Sequence, residues 1–225
     1  MLLFPDTKTS FSFGLTQSPK EVFYIKPIQR ATAMRIVTES HYLHRSCPCS
    51  FAFGLFCKDS GGLVGVIVYG TPSSAPLRSG VCGKDEAGNV IELTRLWVAD
   101  GTPKNTESFF IGNTLPLIDK EIVVSFADPT AGHVGTVYQA SNWIYTGLSA
   151  KRTDWNIEGV KRHGQTIGDK YTAAYLREHA GERFTLKDRP QKHRYVYFNA
   201  KPRRRKELLS KLKYPVTAYP KSANQ

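Results

Sequence analysis

The stretch IVVSFADPTAGHVGTVYQASNWIYTG, residues 122–147, joins an apolar run, a glycine-rich turn and an aromatic segment. Residues 122–128 are nearly all apolar until Asp128, which is typical of a strand buried on both faces of a sheet. A short helix is predicted over residues 136–143 and a further strand over residues 144–149. Because ligands of open α/β sheets gather at the carboxyl ends of strands, Asp128 is expected either to serve a site or to cap the turn.

The sequence on both sides of this stretch predicts a mixed sheet. Further strands, rich in β-branched and aromatic residues, are predicted over 22–28, 51–57, 63–70, 90–99 and 193–199. Helices are predicted over 29–41, from about 105 onward, over 170–181 and over 203–212, whereas Gly, Pro and Ser make residues 71–89 a loop. The order of elements predicts an α/β fold with a mixed central sheet flanked by helices, and it resembles the order of the GNAT acyltransferase fold.

The length and the charge of the chain predict one globular domain with a basic C-terminal part. The chain has 225 residues, 40% of them hydrophobic, which suits one domain over residues 1–225. Residues 1–150 carry 12 basic and 12 acidic side chains, whereas residues 151–225 carry 19 and 7, so the whole formal excess of +12 lies there. This segregation favours contact between residues 151–225 and a polyanion, with nucleic acid as the favoured partner. The alternative is a basic face that only keeps the protein soluble.

The basic side chains are densest in KPRRRKELLSKLKYP, residues 201–215, which predicts a basic amphipathic helix. The candidates for contacts with DNA phosphates lie in this run or shortly before it: Lys192, Arg194, Arg203, Arg204, Arg205 and Lys206.

The compartment and the assembly state are only weakly indicated by the sequence. Neither a leader nor an apolar run of the ~18 residues that a membrane helix needs is apparent, so a cytoplasmic protein is expected, with its four cysteines as free thiols. ESFFIG (107–112) and FAFGLF (51–56) could form the apolar face of a homodimer, but a buried core explains them equally well.

Polar side chains at three further places are candidates for a site. His41 and His44 lie near the end of the first predicted long helix, where a helix-dipole contact is the more common explanation and a metal site is the alternative. Arg95 stands inside an otherwise apolar strand, so it must be paired or must point into a site; Glu92 would lie on the opposite face of an ideal strand. Ser108 falls in the first turn of the next helix, where free N–H groups bind phosphates.

Four blocks carry a resemblance to a known family: ELTRLWVAD (92–100), NTESFFIGNTL (105–115), VVSFADPTAGHVGTVYQASNWIYTG (123–147) and KHRYVYFNAK (192–201). Together they resemble the bacteriophage Mom family of DNA-modification proteins, over most of the chain from about Ile28 to Pro220. The resemblance implies a GNAT-like fold and the conversion of adenine in double-stranded phage DNA to its N6-carbamoylmethyl derivative. This modification protects phage DNA from host restriction, and both acetyl-CoA and iron are associated with the family.

The resemblance also implies roles for single residues. Asp128 and Tyr138 match positions that the family needs for activity, and the histidine–tyrosine pair of the family falls on His41 and Tyr42. Asp128, Tyr138 and Tyr42 are therefore the expected catalytic residues.

A metal site and a cofactor site follow from the same comparison. His41 and Asp128 are the expected ligands of Fe(II), ahead of His44 or His133. Arg95 and Ser108 match family positions associated with the acetyl-CoA site, although GTPKNTES (101–108) replaces the usual glycine-rich phosphate loop of GNAT proteins.

Two other functions remain open from the sequence. An ordinary N-acetyltransferase of a protein or small amine would be expected to keep that glycine-rich loop. A non-catalytic DNA-binding protein on the same scaffold would have Arg95, Asp128 and Tyr138 as salt-bridged core residues with no open pocket between them. Trp143 is either a core residue or a wall against which a flipped base stacks.

Overall fold

The computed structural model of the chain describes residues 17–160, 167 and 170–221. Nine strands are found among these residues: β1 Phe23–Pro27, β2 Phe51–Cys57, β3 Leu63–Gly70, β4 Val90–Val98, β5 Ile122–Ala127, β6 Ile144–Leu148, β7 Arg152–Ile157, β8 Phe184–Arg189 and β9 His193–Phe198. Seven strands form one mixed sheet in the order β1-β2-β3-β4-β5-β9-β6, and β7 pairs with β8 in a separate two-stranded ribbon. The seven strands that the sequence predicts are confirmed, each to within one residue at either end.

The α-helices of the described residues lie between or beside these strands. Their bounds are α1 Pro19–Val22, α2 Arg30–Ser40, α3 Ala75–Cys82, α4 Thr106–Thr114, α5 Thr136–Ala140, α6 Ala173–Ala180 and α7 Pro202–Lys211. The predicted α/β fold, a mixed central sheet flanked by helices, is confirmed.

Helix α3 corrects the prediction of a loop over residues 71–89. Ser74 caps the helix by accepting a hydrogen bond from the Leu77 amide, and Pro76 lies in the first turn, where its missing N–H leaves no helical bond unmade. Ser74 and Pro76, residue types that are common in loops, therefore begin a helix here.

The largest apolar cluster packs around β3, β5 and α4. Phe110 and Ile111 of α4 and Leu55 of β2 are fully buried, and Phe53 and Phe56 of β2 are nearly so. The two apolar stretches considered as a dimer face thus contribute most of their side chains to the core. Among the described residues, no helix is both long and apolar enough to cross a membrane.

One local feature of the sheet positions the functional site. β4 and β5 are the only parallel neighbours of the seven-stranded sheet, and they pair only over Val90–Glu92 and Ile122–Val124 before they part. β9 continues to pair with β5 along its whole length, from Phe198 opposite Ile122 to His193 opposite Ala127. The carboxyl halves of β4 and β5 therefore border an opening in the sheet.

Candidate active site

A cleft of about 1680 Å³ occupies the opening between β4 and β5. Its walls come from the end of α2, the outer half of β4, the first turn of α4, the end of β5 and the base of the β7–β8 ribbon. All the residues expected to serve catalysis, metal or cofactor line it: His41, Tyr42, Arg95, Ser108, Asp128 and Tyr138. The structure thus brings these residues together in one open site.

Asp128 both caps a turn and faces the cleft. Its Oδ1 accepts hydrogen bonds from the Thr130 amide (3.0 Å) and the Thr130 hydroxyl (2.6 Å), and its Oδ2 pairs with Lys192 Nζ at 2.8 Å. Burial alone would raise the pKa of Asp128, but the hydrogen bonds from Lys192 and Thr130 outweigh it and lower that pKa. Asp128 is therefore an ionised, fixed carboxylate at neutral pH.

His41 follows the last turn of α2 and is a neutral ring. Burial, followed by the charges of Arg95 and His133, lowers the pKa of His41 to about 4. Its Nδ1 accepts a hydrogen bond from the Leu43 amide at 3.2 Å, which leaves the ring proton on Nε2. The ring stacks on Tyr42 with the centroids 4.4 Å apart.

The geometry does not support the expected Fe(II) site. Both oxygens of Asp128 already have partners, and His41 carries a proton on the nitrogen that would have to bind the metal. His44 Nδ1 donates to the Thr38 carbonyl at 3.0 Å, and in the part of the chain that the structure describes no three His, Cys, Asp or Glu residues gather as a metal would require.

Tyr138 lies at the floor of the cleft. Its hydroxyl shares a hydrogen bond of 2.7 Å with the Ser125 hydroxyl, and burial raises the pKa of Tyr138 to about 12. Its ring packs against Trp143 and Tyr195, with centroids 5.1 Å away in both cases. Trp143 is fully buried and does not line the cleft, so it is a core residue, and its alternative as a stacking wall is wrong. Tyr42, by contrast, is 47% exposed at the rim.

A β-bulge in β4 places Arg95 and Glu92 on one face. In the pairing of β3 with β4, Val68 lies opposite Arg95 and Tyr69 lies opposite Leu93, so Thr94 is an extra residue without a partner. The Thr94 hydroxyl bonds to the Val68 carbonyl at 3.1 Å. The expectation that Glu92 points to the opposite face is wrong, because the extra residue restores an even spacing between Glu92 and Arg95.

Glu92 is the residue that sequence reasoning missed. It lines the cleft, and among the described residues no hydrogen bond or ion pair to its carboxyl group is found. Burial raises the pKa of Glu92 to about 7, although the charges of Arg95 and Lys192 oppose this effect. The only signal in the sequence is an acidic residue within an apolar strand, and the bulge that directs it has no sequence signature of its own.

Arg95 and the first turn of α4 form a further part of the cleft wall. Arg95 donates from Nη1 to the Thr94 carbonyl at 2.6 Å, and its buried Nε has no partner among the described residues. Asn105, with φ of 68°, is the N-cap of α4, and the Ser108 hydroxyl donates to the Asn105 carbonyl at 3.0 Å. The first-turn N–H groups of a helix lack intrahelical acceptors, so this wall offers donors to an anion.

Three of the cations predicted to contact DNA already have protein partners. Lys192 pairs with Asp128, as described above. Arg194 is buried, donates to the Thr146 hydroxyl (2.9 Å) and carbonyl (2.8 Å), and stacks 3.4 Å above the Tyr214 ring. Arg204 pairs with three carboxylates: Glu86, Glu121 and Glu207.

The remaining predicted cations lie on α7, away from the cleft. Arg203 and Lys206 are exposed, and Arg205 lies 5.4 Å from the centroid of the Tyr197 ring. α7 begins just after Phe198, which is opposite the first residue of β5, whereas Asp128 follows its last residue. The start of α7 and Asp128 therefore lie at opposite ends of the strands of the sheet, about 17 Å apart along the strand direction.

Comparisons with known proteins give two kinds of similarity. Residues 22–221 match the family described as the Mom protein family. The chain is 34% identical over 208 residues to methylcarbamoylase mom of Escherichia phage Mu, which covers 84% of this chain and 80% of that relative.

Solved acetyltransferase structures are also similar. A GNAT-family acetyltransferase of Bacillus cereus has 9% identity and a TM-score of 0.42, over 80% of this chain and 99% of that one. The spermidine/spermine N-acetyltransferase SpeG of Vibrio cholerae, in complex with manganese ions, has 9% identity and a TM-score of 0.45, over 84% and 99%. The match over residues 22–221 and the 34% identity together show that the chain belongs to the Mom protein family.

Proposed function

We propose that this chain is a transferase that converts adenine in double-stranded DNA to N6-carbamoylmethyladenine and so protects phage DNA from host restriction. Membership of the Mom family and the relative named methylcarbamoylase support this function. The observation that carries it is the shared cleft, which brings the family-matched residues His41, Tyr42, Asp128 and Tyr138 to one place that is open to solvent.

The size of the cleft suits a reaction between a base and a second bound molecule. Ligand pockets commonly measure about 300–1,000 Å³, and this one measures about 1680 Å³. Enzymes that modify a base inside a duplex swing the base out into a pocket. The cleft has room for an extruded adenine at the Asp128 end and for a donor molecule at the Arg95 end.

Glu92 acts as the general base of the reaction in this proposal. The exocyclic amine of adenine must lose one proton as its new N–C bond forms, and a group with a pKa near the working pH accepts it best. The pKa of Glu92 is about 7, whereas Asp128 is held ionised by Lys192 and the pKa of Tyr138 is about 12. Asp128 and the Nε2–H of His41 are then positioned to bind and orient polar groups of the substrate.

Acetyl-CoA fits the part of the cleft wall that Arg95 and the first turn of α4 form. The partnerless Nε of Arg95 and the donor-rich first turn of α4 at Ser108 are suited to a phosphorylated, carbonyl-bearing ligand. When bound, acetyl-CoA would supply the two carbons; joining its methyl carbon to N6 and forming the amide also require a two-electron oxidant and a nitrogen donor. We assign Arg95 and Ser108 to its binding and Tyr42, at the rim, to closing the site over the base.

The two alternatives fit the structure less well. A non-catalytic scaffold would have Arg95, Asp128 and Tyr138 sealed in the core, but all three border an open cleft. An ordinary N-acetyltransferase does not account for the family match or for the cations Arg152, Arg189 and Lys192 in the cleft lining.

The test is the mass of the deoxyadenosines in plasmid DNA from bacteria that express the chain. A mass gain of one carbamoylmethyl group is expected, and Asp128→Ala and His41→Ala should abolish it. Asp59→Ala, in the exposed turn between β2 and β3, is the matched control and should leave it in place. Unmodified adenine in the presence of folded wild-type protein would refute the proposed function.

A further inference from the structure

The β7–β8 ribbon has one basic face. Strand alternation and the observed register place Arg152, Asp154 and Asn156 of β7 on the same face as Arg189, Lys187 and Thr185 of β8. We call this set of six residues the basic face of the ribbon. It carries three cations and a single carboxylate.

Two of these cations face each other across the ribbon. Arg152 lies directly opposite Arg189 in the register, and like charges at such positions destabilise a strand pair. Their present partners are weak: Arg152 reaches the Ser74 hydroxyl at 3.5 Å, and Arg189 lies 3.9 Å from the Asp154 carboxylate. A ribbon that maintains this repulsion has a place for an anion between the two guanidinium groups.

The basic face borders the cleft. Arg152, Asp154 and Arg189 line it, and Arg189 precedes Lys192, the partner of Asp128, by three residues. An anion held between Arg152 and Arg189 would therefore lie beside the Asp128 end of the cleft, where the proposed function places the extruded base.

Helix α7, which has the densest basic sequence, is a weaker candidate. Arg204 and Lys211 are neutralised by Glu86 and Glu207, and Arg204 also pairs with Glu121. The exposed Arg203 and Lys206 lie near the start of the helix, at the end of the strands that is far from Asp128.

On the basis of the proposed function, we propose that the basic face of the ribbon holds the phosphate backbone of duplex DNA beside the cleft. Arg152 and Arg189 contact one phosphate from its two sides, and Lys187 contacts a neighbouring phosphate. Such contacts fix the register of the duplex without reading its sequence. A two-stranded ribbon is also narrow enough to follow a groove of the duplex.

The experiment compares two double variants that each remove two cations. Arg152→Gln with Arg189→Gln alters the ribbon, and Arg203→Gln with Lys206→Gln alters α7. Binding of a fluorescent 20-base-pair duplex is measured by anisotropy across a salt series. We expect the ribbon variant to bind at least tenfold more weakly and its salt slope to fall by about 0.9, since the two guanidinium groups share one phosphate and each phosphate contact contributes about 0.9. We expect less than a threefold loss for the α7 variant.

A further variant keeps the inference testable if the ribbon variant misfolds. Asp154→Asn removes the one carboxylate of the basic face and is expected to strengthen duplex binding. An unchanged affinity for this variant, or an equal loss of affinity in the two double variants, would overturn the inference.

Phosphates of acetyl-CoA are the competing ligand, and a parallel titration separates the two. Ribbon variants that lose acetyl-CoA binding but keep duplex binding would also overturn the inference. The adenine-mass assay distinguishes this failure from failure of the proposed function. If wild-type protein modifies adenine while the ribbon variant binds duplex normally, only the inference is wrong.

Discussion

At the residue scale, the chemistry of the site depends on how many hydrogen bonds and cations stabilise the negative charge of each carboxyl group. Asp128 receives three hydrogen bonds and stays ionised, whereas Glu92, on the neighbouring strand, is half-buried without a partner among the described residues. Two carboxyl groups whose environments move their pKa values apart can take different roles in one reaction. This contrast is the reason for assigning proton transfer to Glu92 and anchoring to Asp128.

The assignment predicts how stability responds to pH in a Glu92→Gln variant. Burial raises the pKa of Glu92 from 4.5 to about 7, so the wild-type protein loses stability as the pH rises from about 4.5 to about 7. Glutamine carries no such charge. The free energy of unfolding of the variant should therefore exceed that of the wild type by a margin that grows across this window, up to about 3 kcal/mol.

Urea denaturation of both proteins between pH 5 and pH 8 measures this margin. Other titrating groups, His41 included, are common to the two proteins and cancel in the difference. A margin that stays constant with pH would show that Glu92 is not buried as an acid.

Sequence reasoning at this scale found the residues but not their partners. His41, Tyr42, Arg95, Asp128 and Tyr138 were identified by resemblance, and they do converge on one cleft. The ion pair of Asp128 with Lys192 joins residues 64 positions apart in the sequence, and no local sequence pattern indicates it. Glu92 was placed on the wrong face because the spacing rule assumes a regular strand.

At the element scale, the turn that follows β5 sets the position of Asp128 and Tyr138. It contains Gly132 (φ 74°) and Gly135 (φ 84°), both in the left-handed region that favours glycine. Gly135 also packs directly against the ring of Tyr195, whose hydroxyl is fixed by a hydrogen bond to the Val134 carbonyl. Gly132 has open space around it.

The two glycines form a matched pair for mutation. Gly132→Ala should lower the free energy of unfolding by about 1 kcal/mol, from backbone strain alone. Gly135→Ala adds an overlap between the new Cβ and the Tyr195 ring, and should cost at least about 2 kcal/mol more. Thermal and urea unfolding measure both values, and equal costs would contradict the close packing described here.

Elements with a clear apolar pattern were predictable, and those without one were not. β2, β3 and β5 are runs of apolar residues, and their bounds were predicted to within one residue. The ribbon strands RTDWNI and FTLKDR mix charges with aromatics, and neither was predicted. Their pairing comes from the register between two segments about 30 residues apart, which periodicity does not report.

At the scale of the whole molecule, the charge asymmetry of the sequence is partly cancelled by folding. Residues 151–225 hold the entire excess of +12, but α7 brings Arg204 and Lys211 onto Glu86 and Glu121 from the first 150 residues. The linear count therefore overstates the basic surface of α7. It does not overstate that of the ribbon, whose cations have weak partners.

The pairing of α7 predicts an acid-dependent loss of stability through Glu86. The hydrogen bonds from Lys211 and then Arg204 lower the pKa of Glu86 from 4.5 to about 2. The stabilisation is thus complete above about pH 4.5 and is lost as the pH falls towards 2. Glu86→Gln should be less stable than wild type at pH 7, and the difference should shrink across this window.

The neighbouring Asp85→Asn is the control, because Asp85 is exposed. Thermal unfolding at pH 7, 4 and 2.5 gives the comparison. A loss for Asp85→Asn as large as that for Glu86→Gln would mean that general surface charge, and not the contact with α7, is responsible.

The early parting of β4 and β5 has a consequence for engineering. The space between them is bounded by two hydrogen-bonded halves of the sheet, and the pairing within each half fixes the positions of β4 and β5. Exchanging the β7–β8 ribbon for that of a relative would then alter the cationic side chains beside the cleft while the spacing of β4 and β5 is kept. The parted strands make the chain a candidate scaffold in which the strength of DNA binding is tuned by exchange of this ribbon alone.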